Sequence, residues 1–426
     1  MRIVRLRISL CLLILFGLLL PLPFASGQGP ERVTLEAQER LAVFDRVWNE
    51  VNDRYFDRSF HGLDWEAQRE HFRPLASKTT NRSELYQVMR QMLASLGDAH
   101  TRVFAPEENF DRNRPSGISV GVIARRVEGR PVVVWVDPGS DAARQGLRAG
   151  MMIKSVDRVP IEAALKRVQS DYGSSSTPVA GELLSFDRVF FGPRDTTFQL
   201  TVEQDSGTDL SLKLTRRFVD FPRRVITRML PNDIGYIELT GFSTDIERDF
   251  DNAINTVRNT RGLILDLRQN GGGFVTSVAR LAGYFFQREA DLGVFTTRKG
   301  KAARRQSQKM RISYKEPLVI LLSERSASGA EMFAAAMQEH ERAFLLGTHP
   351  TTCGCLVGVS RTLALPDHGR LNISDADFRT ALGQRIEGIG VHPDEVVQLR
   401  IADLINGKDR ALEWAVAFLE RRETIQ

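Results

Sequence analysis

The chain has 426 residues, of which 42% are hydrophobic and 26% are charged, and its formal net charge is +5. This length predicts two or three domains with ample apolar cores, and it excludes a small scaffold that depends on disulfides. The basic residues form no concentrated patch with interleaved aromatic residues, so the composition does not indicate a nucleic-acid-binding protein.

Residues 1–27 are typical of a secretory signal peptide. A basic leader precedes an apolar run, and the small residues Ala25-Ser26-Gly27 place cleavage after Gly27. An uncleaved membrane anchor is the alternative, although two prolines in the second half of the run favour cleavage. The leader holds three arginines and no acid, so cleavage lowers the net charge from +5 to +2. We therefore expect an exported, periplasmic or extracellular protein, which contacts the membrane only if its leader is retained.

Residues 28–113 are predicted to form an N-terminal helical segment. The stretch VTLEAQERLAVFDRVWNEVNDRYF spaces its apolar residues three and four apart, as one buried helix face requires. A second helix is predicted in SELYQVMRQMLASLGDAHT, with Ser83 as its N-cap and Gly97 as its stop.

Residues 114–217 show the alternating pattern of β-strands in GISVGVIARR and RPVVVWVD, followed by a short helix between turns. This region resembles a PDZ domain, although Met151 replaces an acid and Arg158 replaces a glycine of that pattern. The resemblance implies a loop whose backbone amides hold the C-terminal carboxylate of a peptide, which then adds as a strand to the sheet edge. The residues of this loop are Gly117, Ile118, Ser119, Val120, Gly121 and Val122. The stretch 161–191 is longer than a minimal PDZ loop needs, and a small β domain that only spaces its neighbours is the alternative.

Residues 218–426 alternate buried apolar strands with helices, which predicts an α/β core. The predicted strands are DIGYIELTGF, GLILDL and PLVILL, and the predicted helices are DIERDFDNAINTVRN, SVARLAGYFF and AEMFAAAMQEHER.

Ser328 follows the strand PLVILL and precedes a helix that begins near Ala330, and two interpretations of it are open. Ser328 and Glu331 form an S-x-x-E capping box, which requires no catalysis. A nucleophile at this turn would instead lie at the positive end of a helix dipole, where an oxyanion is stabilised. The glycines of DLRQNGGG, residues 266–273, also follow a buried strand and would let backbone amides approach a ligand closely. No Gly-Lys-Ser/Thr follows them, so a phosphate-binding loop is excluded.

The motifs SLGDAHTRVFAPEE, DLRQNGGG and SASGAEMFAAAMQEHERAFLLG occur in the order found in the C-terminal processing (tail-specific) serine proteases, a family that the chain resembles. The resemblance implies a crotonase-like (ClpP/crotonase) α/β protease core that follows the helical segment and an inserted PDZ domain. It implies Ser328 as the nucleophile, with Ser326 as its neighbour. It also implies oxyanion amides from Gly329 and Gly272, with Gly273 as a near alternative to the latter.

The general base departs from this pattern. The processing proteases use a lysine 25 residues after the serine, where this chain has Cys353. The related tricorn-type proteases use a histidine before the PDZ domain and a late glutamate, which His100 and Glu387 match. In that pattern a serine precedes the histidine, and Ala99 replaces it here. The resemblance therefore implies His100 as the base, a role suited to a side chain whose pKa lies near neutral, with Glu387 behind it.

Other residues near the missing lysine leave alternatives open. His349 is the rival base because it lies close to that position, whereas Lys408 is predicted at the turn into a C-terminal helix. Cys353 and Cys355 flank a single residue, so a disulfide between them is possible but not expected. Without nearby acids the two cysteines are a poor metal site, and no adjacent basic residue supports Cys353 as a nucleophile.

These features predict an exported serine endopeptidase that needs no metal or cofactor. Its expected partners are proteins or peptides with free C-termini, and no nucleic acid. The alternative is a catalytically inactive protein that retains only peptide binding by the PDZ domain, since the usual lysine is missing. Acyl-CoA chemistry on a crotonase-like core has no support beyond fold analogy.

Overall fold

The structure, a computed structural model, describes most of the chain. The described residues are 37–108, 116–173, 175–221, 223–359 and 362–421. The predicted signal peptide, residues 1–27, lies outside them. No helix within these described ranges is both long enough and apolar enough to cross a membrane.

The N-terminal segment is helical, as predicted. Its elements are α1 (Ala37–Arg54), α2 (Trp65–Lys78), α3 (Arg82–Ala94) and the short strand β1 (Arg102–Phe104). The N-cap of α3 is Asn81 and not Ser83, because the Asn81 side chain accepts a hydrogen bond from Glu84 N–H at 3.0 Å. The predicted stop is confirmed, since the helix ends at Ala94 and Gly97, with φ of 62°, donates to the Ala94 carbonyl at 3.0 Å.

A β domain, residues 116–220, follows. Its elements are β2 (Ser116–Ser119), β3 (Val122–Val127), β4 (Arg130–Val136), α4 (Asp141–Arg144), β5 (Met152–Val156), β6 (Val159–Pro160), α5 (Ile161–Tyr172), α6 (Pro178–Val189), β7 (Thr197–Glu203), β8 (Asp209–Thr215) and β9 (Arg217–Asp220). Its main sheet has the order β3-β4-β5-β7-β8, with β6 paired to β5, so β3 is an edge strand. The antiparallel pair of β2 and β9 joins the two ends of the domain. The long stretch between β6 and β7 forms the helical hairpin of α5 and α6.

The remaining described residues form an α/β core. Its elements are β10 (Val225–Leu230), β11 (Ile234–Leu239), α7 (Glu247–Val257), β12 (Gly262–Asp266), α8 (Val275–Ala282), β13 (Asp291–Thr297), β14 (Ala302–Gln306), β15 (Leu318–Leu322), α9 (Gly329–Glu339), β16 (Phe344–Gly347), β17 (Thr362–Ala364), β18 (Arg370–Asn372), β19 (Ala376–Arg379), β20 (Glu395–Val396), α10 (Ile401–Ile405) and α11 (Arg410–Arg421). The predicted strands and helices are confirmed. The main sheet has the order β10-β11-β12-β15-β16-β20 and is parallel from β11 onward.

The apolar strands are buried on both faces of this sheet, which explains their unbroken hydrophobic runs. Along β12, Leu263 and Leu265 belong to the apolar core on one side and Ile264 belongs to the core on the other. Helices α7, α8 and α9 contribute to the first core, and α11 contributes to the second.

Two strand pairings bring the functional segments together. Because β12 and β15 are parallel neighbours, with Asp266 opposite Leu321, the loops that follow them meet at one sheet edge. These loops carry the glycine run and Ser328. Strand β1 pairs with β18, with Arg102 opposite Asn372, and so anchors the turn that carries His100 to the core.

Candidate active site

Ser328 occupies the turn into α9 in an unusual backbone conformation, with φ of 55° and ψ of −113°. A non-glycine residue in such a sparsely populated region costs about 1–3 kcal/mol, and these residues cluster at active sites. An ordinary N-cap residue has an extended backbone, so capping alone does not require this conformation. Ser326 is fully buried instead, and its hydroxyl donates to the Leu267 carbonyl at 2.8 Å. Of the two serines, only Ser328 lines an open groove.

Glu331 is fully buried in the first turn of α9 and accepts four hydrogen bonds. Its Oε2 accepts from Ser328 N–H at 2.8 Å, so the glutamate half of the predicted capping box is present, and from Cys355 N–H at 3.0 Å. Its Oε1 accepts from the Thr352 hydroxyl at 2.6 Å and from Gly354 N–H at 2.7 Å. Burial raises the pKa of Glu331 to about 7. This one carboxyl therefore joins the Ser328 turn to the segment that replaces the usual lysine.

Cys353 and Cys355 form a disulfide, a pairing that the sequence left possible but did not favour. Gly354 between them has φ of 68°, and the resulting turn brings the two Cα atoms to 5.3 Å. That separation is within the normal range for disulfides. As half of a disulfide, Cys353 is neither a thiolate nucleophile nor a general base.

The disulfide belongs to a small apolar cluster that links two candidate residues. It packs with Ala180 of α6, and Ala99 and Ala327 pack against this cluster. Ala99 immediately precedes His100, and Ala327 immediately precedes Ser328. The residues that precede the candidate base and the candidate nucleophile therefore pack against the same disulfide cluster.

His100 lies in the turn between α3 and β1, and Asp98 fixes the backbone of this turn. His100 N–H donates to Asp98 Oδ1 at 2.7 Å, and the Thr101 hydroxyl donates to Oδ2 at 2.5 Å. Ser374 N–H of the core donates to Thr101 Oγ1 at 3.1 Å, so the turn is tied to the core. His100 and Ser328 line the same groove, whose volume is about 2770 Å³.

The two rival bases do not line this groove. Thr351 N–H donates to His349 Nδ1 at 3.2 Å, so that nitrogen is occupied by a local backbone turn. Lys408 is exposed just before α11, as the sequence predicted.

Glu387 is 7% exposed and lies near enough to Asp98 of the histidine turn to be affected by its charge. Its Oε2 accepts from Leu356 N–H at 2.7 Å, and the nearby Ser176 hydroxyl favours its ionised form. Burial, followed by the negative charge of Asp98, raises the pKa of Glu387 to about 8. Glu331 adds a smaller effect in the same direction, and the two hydrogen bonds oppose it. The acid is therefore poised to change its charge near neutral pH.

The glycine run lies against the Ser328 turn. A Cβ atom on Gly272 would lie 2.7 Å from Gly329 N and 2.8 Å from Ser328 Cβ, so only glycine allows this approach. Gly272 N–H already donates to Asn270 Oδ1 at 2.9 Å. Within the described parts of the chain, the N–H groups of Gly273 and Gly329 have no hydrogen-bond acceptor. This geometry favours Gly273 over the predicted Gly272 as the second oxyanion donor.

The loop predicted to hold a peptide carboxylate lines the same groove, from Gly117 to Val122. Gly121 has φ of 71°, and a Cβ atom there would lie 2.4 Å from Ser140 Cβ. Its N–H donates to Ser119 Oγ at 3.0 Å. The loop leads into β3, whose free edge lies beside α6.

Sequence reasoning missed the roles of two hydroxyl side chains in the α5–α6 turn, Ser176 and Thr177. Ala99 N–H donates to Ser176 Oγ at 2.9 Å, and the Thr177 hydroxyl donates to the Cys353 carbonyl at 2.7 Å. Their only signal in the sequence was the excess length of residues 161–191.

Comparisons with known proteins show which families and structures the chain is similar to. The model of Peptidase family S41 matches residues 233–397, and the model of the Tricorn protease C1 domain matches residues 36–94. The chain is 25% identical to a carboxyl-terminal-processing protease of Picosynechococcus sp. over 430 residues, which cover 97% of this chain and 95% of that protein. Its structure is similar to that of a photosystem II D1 C-terminal processing protease, with a TM-score of 0.56 and 25% identity, over 85% of this chain and 93% of that one. Mature CPAF shares the fold, with a TM-score of 0.68 and 14% identity, over 90% of this chain and 96% of that one. Residues 233–397 therefore match Peptidase family S41, the relatives of the chain are carboxyl-terminal-processing proteases, and these matches identify the chain as a serine-type peptidase.

Proposed function

We propose that this chain is an exported serine endopeptidase that uses Ser328, His100 and Glu387 to cut proteins or peptides with free C-termini. The observation that carries the proposal is the strained Ser328 turn, which opens into the groove that His100 also lines. Strained residues cluster at active sites. At a helix N-terminus, the helix dipole also favours the negative charge of an oxyanion.

The reaction follows from these positions. Ser328 Oγ attacks the scissile carbonyl carbon while His100 takes the hydroxyl proton. The N–H groups of Gly329 and Gly273 donate to the resulting oxyanion. The C–N bond then breaks as His100 returns the proton to the leaving amine. Water, deprotonated by His100, hydrolyses the acyl-enzyme and regenerates Ser328.

Glu387 supports the histidine in this scheme. Its carboxylate stabilises the positive charge that His100 acquires and favours one orientation of the ring. The Cys353–Cys355 disulfide at the position of the usual lysine is why a lysine-dependent scheme is not proposed.

The proposed organisation is a signal peptide at residues 1–27, a helical segment at 28–113, a PDZ domain at 114–217 and a crotonase-like protease core at 218–426. The free edge of β3, flanked by α6, supports peptide binding by strand addition. The carboxylate of such a peptide would lie in the loop of residues 117–122, which opens into the groove beside Ser328. Substrate recognition and cleavage would therefore take place in one continuous groove. The leader supports export to the periplasm or the extracellular space.

Degradation of an unfolded protein with a free C-terminus tests the proposal. We expect Ser328→Ala and His100→Ala each to lower kcat by roughly 10⁴-fold or more, because loss of either the nucleophile or its base disables the whole catalytic unit. His349→Ala is the control and should retain activity. Loss of activity in His349→Ala but not in His100→Ala would reassign the base. A parent chain that binds C-terminal peptides but never cleaves them would contradict the proposal.

A further inference from the structure

The turn between α5 and α6 reaches the candidate active site although it belongs to the β domain. Gly173 ends α5 with φ of 76°, and a Cβ atom there would lie 2.1 Å from Ala94 Cβ at the end of α3. Thr177 is the N-cap residue of α6, and its hydroxyl donates to the Cys353 carbonyl. The turn is therefore fixed on one side by the helical segment and on the other by the core.

Ser176 lies in this turn and connects two parts of the site. Its Oγ accepts a hydrogen bond from Ala99 N–H at 2.9 Å, next to His100. Its hydroxyl also lies close enough to the Glu387 carboxyl to lower the pKa of that acid. A serine hydroxyl has one proton to donate and lone pairs to accept, so a single side chain satisfies both partners. The two partners come from segments far apart in the chain.

We propose that Ser176 is a positioning residue of the protease site: its hydroxyl ties the Glu387 carboxyl to the backbone of the His100 turn and so fixes the acid relative to the base. This inference rests on the roles proposed above for His100 and Glu387. Ser176 acts only through these two residues.

The position of Ser176 makes the site depend on the β domain. Leu165 of α5 and Phe186 of α6 are buried in the apolar core of that domain. Ser176 is therefore supplied by the β domain, so the proposed connection between Glu387 and the His100 turn includes a residue from outside the α/β core.

The charged surroundings of Glu387 determine the expected pH effect. Asp98 from the histidine turn and Glu331 from α9 both face it, and Tyr55 after α1 interacts with it electrostatically. The Ser176 hydroxyl opposes these effects by stabilising the ionised carboxylate. Its removal should therefore raise the pKa of Glu387 and move the acid limb of the activity profile to higher pH.

The test compares the mature parent chain with Ser176→Ala, Ser176→Thr and Ser175→Ala on a peptide substrate. We expect Ser176→Ala to lower kcat by roughly 10- to 100-fold, as loss of orientation does, with little change in KM and with the acid limb moved to higher pH. Ser176→Thr keeps the hydroxyl and should restore both kcat and the position of the acid limb to the values of the parent chain. Ser175→Ala removes a neighbouring hydroxyl that has no hydrogen-bond partner in the described chain, so it should match the parent.

Each outcome decides the inference. A parent that cleaves, with Ser176→Ala equal to Ser175→Ala in kcat and pH profile, overturns it and leaves the proposed function standing. A loss of kcat in Ser176→Ala without a pH shift and without rescue by threonine also overturns it. A parent that neither cleaves nor reacts with a fluorophosphonate overturns the proposed function and this inference together. If Ser176→Ala does not fold, Ser176→Cys decides, because its weaker S–H donor should give a smaller shift in the same direction.

Discussion

In the proposed mechanism, the charge of Glu387 supports the base His100. Burial and the charge of Asp98 hold its pKa near 8, well above the ordinary value of 4.5. The ionised form supports His100, so kcat/KM should increase as pH rises through about 8 and the carboxyl loses its proton.

Replacement of this acid by its neutral isostere isolates its part in the pH profile. Glu387→Gln cannot ionise, so we expect kcat to fall by roughly 100-fold or more and the rise near pH 8 to disappear. The pH dependence of kcat/KM on a peptide substrate measures both effects. Glu395→Gln, an exposed glutamate at the start of β20, is the matched control. The same rise near pH 8 in Glu387→Gln would exclude this role.

In the proposed mechanism, the loop after β12 supplies a backbone amide to the oxyanion, and Asn270 holds that loop in place. Asn270 is fully buried, and its Nδ2 donates to the Leu239 carbonyl at 2.9 Å while its Oδ1 accepts from Gly272 N–H. One amide side chain thus holds the glycine run against β11 and leaves the Gly273 amide available.

Asn270→Ala should weaken both folding and catalysis. It leaves a buried N–H and a buried carbonyl unpaired, which should lower the free energy of unfolding by about 2–4 kcal/mol. Because the Gly273 amide loses its orientation, kcat should fall as well. Urea unfolding and peptide hydrolysis measure the two effects, with the exposed neighbour Gln269→Ala as the control for stability. An Asn270→Ala variant as stable as Gln269→Ala would show that the glycine loop needs no such support.

The elements of the core were predictable because their signals are local. The run PLVILL is apolar at every position and GLILDL at every position but Asp266, which is typical of strands buried on both faces. The capping-box pattern at Ser328 could not by itself reveal a nucleophile, since the same residues serve a helix start in either case. The unusual φ of Ser328 favours the nucleophile interpretation, and backbone strain has no sequence signature.

The remaining parts of the site depend on contacts that sequence spacing does not encode. Gly272 and Gly273 are equivalent in the motif, and only the side chain of Asn270 distinguishes their amides. Ser176 is distant in sequence from Ala99 and from Glu387, and it reaches them because α5 and α6 fold as a hairpin.

At the scale of the whole molecule, the β domain contacts the loop that precedes Ser328. Arg125 of β3 forms an ion pair with Glu324, and both side chains are largely buried. Arg325 pairs with Asp187 of α6 at 2.8 Å, but Asp187 is half exposed. The domain thus contacts this loop through one largely buried ion pair and one partly exposed ion pair.

Loss of these two pairs should have unequal effects. Arg125→Met leaves a buried carboxylate unpaired, which should lower the free energy of unfolding by about 3–5 kcal/mol. Asp187→Asn removes a partly exposed pair and should cost at most about 1 kcal/mol. Urea denaturation of the two variants and the parent makes the comparison. Equal small effects would show that the β domain is not held to the core through Glu324.

The most direct test of the account is the rate at which a fluorophosphonate labels the mature chain, with the modified residue located by peptide mass mapping. We expect a single adduct on Ser328, slowed by at least about 10³-fold in His100→Ala and absent in Ser328→Ala. His349→Ala should label at the parent rate. No adduct on Ser328 in the folded parent chain, or equal labelling rates in the parent and His100→Ala, would contradict the proposal that Ser328 is a nucleophile activated by His100.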